Sequence, residues 1–428
     1  MSIEWVLLVF FALLLAGVPM AFTMIAVSSL YFALSPVPGF IFLIPEKIFE
    51  ALDYIVMTAI PFFLLAGDLM NRSGMAEQLM SFSNLVIGGV RSGLAQVNVM
   101  ASLLFSGLTG VAVGDIAALG KVEVTMMEKS GYPRAFAAAV TIASSLIGPI
   151  IPPSGIIILY AAVMDVSIGG MFLAALFPGL LMALADMLII ALQAKPRNFP
   201  KSDVARALPD LARGLKVAFL AIMMPFILIG GIVSGLMTPT EAAAVSVLYA
   251  LFVGGVLYRA LTLRKIIRIF ANSTYESARL LFLLAGAMTM SWIFALENLS
   301  EMAQAFFAGL NASPIVIIFL INMMFIVFGT IMEPCIALIL FAPIVGPVAY
   351  SIGVTPYQLG IMLIMNVTVG LATPPVGAVL FAMASIVNVK ITSLIREMLP
   401  FLAIKFVLLL IIGLVPPLTT FIPRLFGL

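Results

Sequence analysis

The sequence predicts an all-α polytopic membrane protein built as two inverted-topology repeats. Each repeat has five crossings, a re-entrant helical hairpin and a crossing broken at a Pro-Pro pair. Three observations predict it: an apolar excess that water cannot solvate, helix-breaking residues that recur at one offset, and a one-sided placement of basic residues.

Of 428 residues, 63% are hydrophobic and 9% are charged, whereas a soluble domain carries about 25% charged residues because its surface faces water. The apolar residues fall in blocks of roughly 17 to 30, the length at which a helix rising 1.5 Å per residue crosses a hydrocarbon core of about 30 Å. Crossings are expected at 3–17, 20–34, 52–70, 134–162, 168–193, 217–235, 239–258, 278–296, 357–385 and 398–422. The N-terminal stretch from Met1 to Phe11 lacks the basic region of a cleaved signal peptide and reads as the first crossing.

Three pairs of segments recur along the chain, as expected of a membrane protein with two structural repeats. Val27-Ser-Ser-Leu-Tyr31 matches Val245-Ser-Val-Leu-Tyr249, and Asn71-Arg-Ser-Gly-Met-Ala76 matches Asn298-Leu-Ser-Glu-Met-Ala303. The third recurrence is the most specific. At the single offset of 222, Gly107 meets Gly329, Gly131 meets Gly353, Gly148 meets Gly370, Pro152 meets Pro374, Pro153 meets Pro375 and Gly155 meets Gly377. The first repeat is expected over 1–194, with its hairpin at about 94–128 and its broken helix at 134–162. The second is expected over 217–428, with its hairpin at about 314–348 and its broken helix at 357–385. The charged, proline-containing stretch 195–216 links them.

An odd number of crossings per repeat turns the second upside down relative to the first, and the positive-inside rule tests that arrangement. With the N-terminus outside, every lysine and arginine except Lys47, Lys405 and Arg424 falls on the cytoplasmic side, including those of the 195–216 linker. Glu46, Asp165, Glu241, Glu297 and Glu301 fall outside, and Lys405 is expected near the inner end of the last crossing. Thr238-Pro-Thr-Glu241 has the form of a capping box opening a helix, with proline at the first helical position.

Composition also excludes chemistry. With no histidine and one cysteine, Cys335, the chain holds no paired-thiol or histidine metal site, no disulfide and no histidine acid–base pair. A net charge of +2 spread over several loops offers no basic face for nucleic acid.

Pro-Pro in mid-membrane removes backbone donors and leaves carbonyls that lipid cannot satisfy. In Gly148-Pro-Ile-Ile-Pro-Pro-Ser-Gly155 and Gly370-Leu-Ala-Thr-Pro-Pro-Val-Gly377, those carbonyls and the hydroxyls of Ser154 and Thr373 are hard oxygen ligands suited to Na⁺. The half-helix N-termini that follow suit an anion. The same geometry also suits a pair of structural kinks. Facing the breaks are the expected hairpin tips, with Asp115 in the first and Glu333 in the second. Each is a functional candidate, because ionisable groups are costly within a membrane, and each could equally cap a hairpin helix. Asp53, Asp68 and Asp186 are weaker candidates. No basic residue stands at either tip, which favours hydroxyls, backbone amides, helix ends and bound Na⁺ as an anion's partners.

Asp-Ile-Ala-Ala-Leu-Gly, Gly-Pro-Ile-Ile-Pro-Pro-Ser, Thr-Pro-Thr-Glu-Ala and Ala-Thr-Pro-Pro-Val-Gly, in this order and spacing, resemble the large membrane subunit of tripartite ATP-independent periplasmic (TRAP) transporters, nearly end to end. The resemblance implies a bacterial inner-membrane protein that takes up a small organic anion by an elevator motion driven by a Na⁺ gradient. It also implies a soluble periplasmic binding protein and a small four-helix membrane subunit as partners, the latter as a separate chain, since no span precedes Met1.

Carried onto matching positions, the resemblance implies one sodium site from Ser106, Thr109 and the backbone near Gly148, Ile151 and Pro153. The other would use Gly329, Met332, Gly370, Thr373 and Val376. Substrate would lie between the tips, near Asp115, Ser154, Pro374 and Glu333. Leu108 departs from the small polar residue common there in the family. A self-sufficient Na⁺/carboxylate symporter of similar architecture is the alternative, and an enzyme or channel would need a catalytic pair or polar path that the sequence lacks. The substrate class stays open between carboxylates, such as C4-dicarboxylates or sialic acid, and sulfonates.

Overall fold

A computed structural model describes residues 3–53, 55–109, 112–201 and 208–428. Its first half begins with α1 (Ile3–Leu15), α2 (Met20–Ala33), α3 (Ile44–Asp53), α4 (Ala59–Arg72) and α5 (Met75–Ile87). There follow α6 (Gly93–Thr109), α7 (Ala112–Asp115), a wide helical turn at Ile116–Gly120, and α8 (Lys121–Lys129). Next come α9 (Arg134–Ser145), α10 (Gly155–Val163) and α11 (Ile168–Ala194).

The remainder comprises α12 (Leu208–Val233), α13 (Pro239–Phe252), α14 (Leu263–Leu296), α15 (Leu299–Gly309), α16 (Pro314–Ile331), α17 (Pro334–Ser351), α18 (Pro356–Gly370), α19 (Ala378–Val387), α20 (Ile391–Leu414) and α21 (Pro417–Leu425). The described residues form no strand beyond one bridge between Arg91 and Lys201. The fold is therefore all-helical.

Local chemistry sets many of these boundaries. Gly131 and Gly353 adopt φ of +93° and +88°, a conformation open chiefly to glycine, just after α8 and α17 end. Pro133 and Pro356 then stand where the next helices begin, positions at which a missing N–H costs nothing. At the start of α13 the capping box forms as expected: Thr238 Oγ1 accepts from the Glu241 amide, and the Thr238 amide donates to Glu241 Oε2 at 2.7 Å.

Six described helices are long and apolar enough to cross a bilayer unaided: α11, α13 with its extension to Leu257, α14, α16, α17 and α20. Others among the expected crossings are built of shorter pieces. α1 and α2 have 13 and 14 residues, and 134–162 and 357–385 each divide into two helices. α16 and α17, expected as hairpin arms, have 18 residues each and are joined by Met332 and Glu333 alone.

The centre of the molecule is the two broken helices. Residues 136–150 and 358–372 are buried without interruption, the state of helices that are apolar all round. α9 and α11 pack on α20, α18 packs on α16 and α11, and α10 packs on α17. The halves interlock here: Tyr160 of α10 lies over Gly360 of α18 and donates to the Pro356 carbonyl at 3.0 Å, while Tyr357 lies against Gly170 of α11. Outside this centre, α14 runs against α2, α3 and α4, and α12 against α5. A second apolar core joins Leu65, Met70, Leu79, Ala221, Val247 and Ile269.

Candidate functional site

α9 stops at Ser145 and α10 starts only at Gly155; between them the chain turns through Gly148, Ile151, Pro152 and Pro153, with the Pro152–Pro153 bond cis. Ser154 is fully buried at the N-cap of α10 and donates to the Pro149 carbonyl at 2.6 Å, so its hydroxyl proton is used while its oxygen lone pairs stay available. Ile151 lies against Gly179 of α11, where a Cβ would stand 2.2 Å from Ile151 Cδ1.

The second break has the same order. α18 ends at Gly370, Pro374–Pro375 is cis, and α19 starts at Ala378. Thr373 Oγ1 donates to the Val369 carbonyl at 2.8 Å, and the Thr373 amide donates to the Gly370 carbonyl at 2.9 Å. Here Thr373 and Pro374 are half-buried and Val376 is exposed, so the second break is more open than the first.

Gly329, near the end of α16, and Gly370, at the end of α18, meet backbone to backbone. A Cβ on Gly329 would lie 2.3 Å from the Val367 carbonyl oxygen, and one on Gly370 would lie 2.6 Å from the Ile326 oxygen and 2.7 Å from Gly329 itself. Two helix C-termini, each the negative end of a peptide dipole, are thereby held side by side. At the end of α18 the Val367, Thr368 and Gly370 carbonyls accept amides of Leu371 and Thr373, and a carbonyl oxygen that accepts one hydrogen bond keeps a second lone pair. Met332, the C-cap of α16, is buried and its amide donates to the Phe328 carbonyl at 2.7 Å. In the first half, Ser106 and Thr109 belong to α6, but their side chains lie outside the described residues, as does that of Leu108.

The candidate acids are placed differently from one another. Glu333 is the N-cap of α17 and accepts from the Cys335 amide at 3.1 Å. Asp115 lines a cavity of about 170 Å³ with Glu77, Ser102, Glu123, Thr141 and Ser145. Ser154, Pro374 and Glu333 are not among that cavity's described lining residues. The first hairpin instead reaches the second break through α19, which packs on α7 and on the turn after it, with Met383 against Gly120. Asp68 accepts from Ser273 of α14 at 2.9 Å, and Asp53 ends α3.

Three buried polar pairings are not anticipated from the sequence, although Asp186 is among its candidate acids. Asn98 of α6 donates to Glu123 Oε2 at 3.1 Å and to Thr141 at 3.0 Å, and its oxygen accepts from Ser144 at 2.8 Å. Asn366 of α18 donates to Asn322 of α16 at 2.5 Å. Lys405 lies in the interior of α20 rather than at the inner end of the crossing, and pairs with Asp186 of α11 with neither side chain exposed. One signal was present in the sequence: Asp186 is the only charged residue of α11.

At the expected cytoplasmic side, Arg197 forks onto Glu397 with contacts of 2.6 and 2.5 Å and lies over the rings of Phe136 and Phe199. That carboxylate pushes the guanidinium pKa above its ordinary value.

Residues 7–418 match the family model described as "Tripartite ATP-independent periplasmic transporter, DctM component". The sialic acid TRAP transporter large permease protein SiaM of Vibrio cholerae is 37% identical over 97% of this chain and 96% of its own. The C4-dicarboxylate TRAP transporter large permease protein DctM of Pseudomonas aeruginosa is 34% identical over 89% of each. Among solved structures, the YdaH transporter of Alcanivorax borkumensis shares the fold at a TM-score of 0.64, with 15% identity over 89% of each chain. The chain thus belongs to the DctM-component family of tripartite ATP-independent periplasmic transporters, as a multi-pass large permease subunit.

Proposed function

We propose that this chain is the translocating subunit of a Na⁺-driven system that imports a small organic anion, a carboxylate or sulfonate, across the bacterial inner membrane by an elevator motion. A soluble periplasmic binding protein delivers the anion, and a small four-helix membrane subunit accompanies the chain. The N-terminus is periplasmic, and two inverted repeats, 1–194 and 217–428, are joined by a cytoplasmic linker at 195–216. The shared order of paired hairpin arms and broken helix in both halves supports this division.

The observation that carries the sodium reading is the backbone contact of Gly329 with Gly370. It holds two carbonyl-ended helix termini together beside Thr373, an arrangement suited to a hard, weakly charged cation. Gly329, Met332, Gly370, Thr373 and Val376 form this site. Ser106, Thr109, Gly148, Ile151 and Pro153 form its counterpart in the first half. The anion sits between the hairpin tips, near Asp115, Ser154, Pro374 and Glu333. Relatives named for sialic acid and for C4-dicarboxylates support the anion class.

The test is uptake of radiolabelled organic acids into proteoliposomes holding this chain and its small subunit, with and without the binding protein, under an inward Na⁺ gradient. Uptake that requires both supports the reading. Na⁺-driven uptake without the binding protein would replace it with a self-sufficient symporter.

A further inference from the structure

Each half ties the first arm of its hairpin to its broken helix through a buried asparagine. In the second half, Asn366 Nδ2 donates to Asn322 Oδ1 at 2.5 Å and to the Met362 carbonyl at 2.9 Å. In the first half, Ser144 Oγ donates to Asn98 Oδ1 at 2.8 Å. Ser144 and Asn366 stand at the offset of 222 that relates the two Pro-Pro pairs, and Asn322 lies two residues beyond the position equivalent to Asn98. The bond therefore joins equivalent helices, α6 to α9 and α16 to α18, from the same position on the broken helix and within about 3 Å of rise on the hairpin arm.

This tie sits directly below the glycine contact. Asn366 precedes Gly370 by one helical turn, about 6 Å of rise, and Asn322 precedes Gly329 by two. Neither asparagine is more than 2% exposed, and Asn322 Nδ2 and Asn366 Oδ1 find no hydrogen-bond partner among the described residues. Two leucines would fill the space without that desolvation cost. What they would not do is fix the sliding register of α16 on α18, because apolar contacts between helices in a membrane are tolerant of small shifts whereas a single hydrogen bond in a buried setting has one geometry.

We propose that Asn322 and Asn366 are positioning residues for the cation site at the ends of α16 and α18, and that Asn98 and Ser144 play this part in the first half. They act by fixing the register that brings the carbonyls of the two helix ends together, and touch no ion themselves. The inference rests on the sodium reading of that site. It further holds that serine at 366 should serve, since the first half makes the same tie with Ser144.

The experiment is a sodium titration of thermal unfolding on the purified chain in detergent, with KCl holding ionic strength constant, because a cation that binds only the folded protein raises its midpoint. Asn366→Leu and Asn322→Leu are expected to raise the sodium concentration needed by about ten- to a hundredfold, as loss of a ligand-supporting residue does at other metal sites. Asn366→Ser is expected to stay close to wild type. Should Asn366→Leu not accumulate as folded protein, Asn366→Ala carries the same expectation.

Thr373→Ala separates the two levels of failure. No sodium response in the wild type overturns the site reading itself. A wild-type response that Thr373→Ala weakens and Asn366→Leu leaves unchanged, or an Asn366→Ser variant as weak as the leucine one, overturns the positioning role alone.

Discussion

Lys405 Nζ and Asp186 Oδ1 stand 2.5 Å apart with both side chains wholly buried, joining the last long helix of one half, α20, to that of the other, α11. Each charge alone would be intolerable in so dry a place, and the pair is held together by that intolerance as much as by attraction.

Removing one partner should therefore cost far more than removing both. Lys405→Met or Asp186→Leu is expected to destabilise the protein by about 3–5 kcal/mol, because an uncompensated buried charge or its forced neutralisation remains. The Lys405→Met/Asp186→Leu double variant should recover most of that loss. Thermal unfolding of the four proteins in detergent, read as a double-mutant cycle, checks it; equal losses in the single and double variants would contradict it.

Gly329→Ala and Gly370→Ala each place a methyl group into backbone, at 2.3 Å from the Val367 oxygen and 2.6 Å from the Ile326 oxygen. Backbone cannot rotate aside as a side chain can, so the helices must separate. Each variant is expected to lose about 1–3 kcal/mol of stability from overpacking, and to lose sodium-dependent uptake out of proportion to that loss. Alanine at Gly230, where nothing lies within 4 Å, is the control and should do neither.

Thr238 and Glu241 close the first turn of α13 on each other: the Thr238 amide and hydroxyl donate to Glu241 Oε2 at 2.7 and 2.9 Å, and the Glu241 amide donates back to Thr238 Oγ1. Thr238→Ala removes the hydroxyl side of that cap and is expected to cost about 0.5–2 kcal/mol. Amide exchange in the first turn of α13 should rise with it, and exchange equal to that of the wild type would show that the cap does not hold this turn.

Arg197 offers a test at the start of the expected linker. Its planar fork meets both oxygens of Glu397 and its flat face covers Phe136 and Phe199, neither of which an ammonium reproduces. Arg197→Lys should keep the charge yet raise the rate of limited proteolysis near 195–201, and high salt should narrow the gap between the two proteins, since both partners are partly solvent-exposed.

What could be read from sequence was what is decided locally. Proline at 152, 153, 374 and 375 interrupts a helix whatever surrounds it, and Gly131 and Gly353 announce their turns. The Thr238 cap likewise needs only its own four residues. Helix ends were less legible where a helix leaves the apolar layer. α14 starts at Leu263 instead of the expected 278, because Arg264, Lys265 and Arg268 lower hydropathy without opposing helix formation. α12 begins at Leu208, inside the stretch expected to be linker, for a similar reason. Least legible were the tertiary partners. Asp186 and Lys405 are 219 residues apart, and Asn98 and Glu123 meet only because the first hairpin folds back. No periodicity within one helix encodes which charge on another will face it.

The cross-packing of the halves has a consequence for biosynthesis. The first hairpin lies against α19, and the second against α10, so each half supplies the surface on which the other's hairpin rests. When the ribosome has delivered only the N-terminal half, Tyr160 has no Pro356 carbonyl to bond and Asp186 has no lysine, and these polar groups wait in lipid. The chain therefore cannot mature half by half. Its final assembly falls after the last helices emerge, and a truncation before α20 should leave an insertion intermediate for membrane quality-control proteases instead of a smaller working unit.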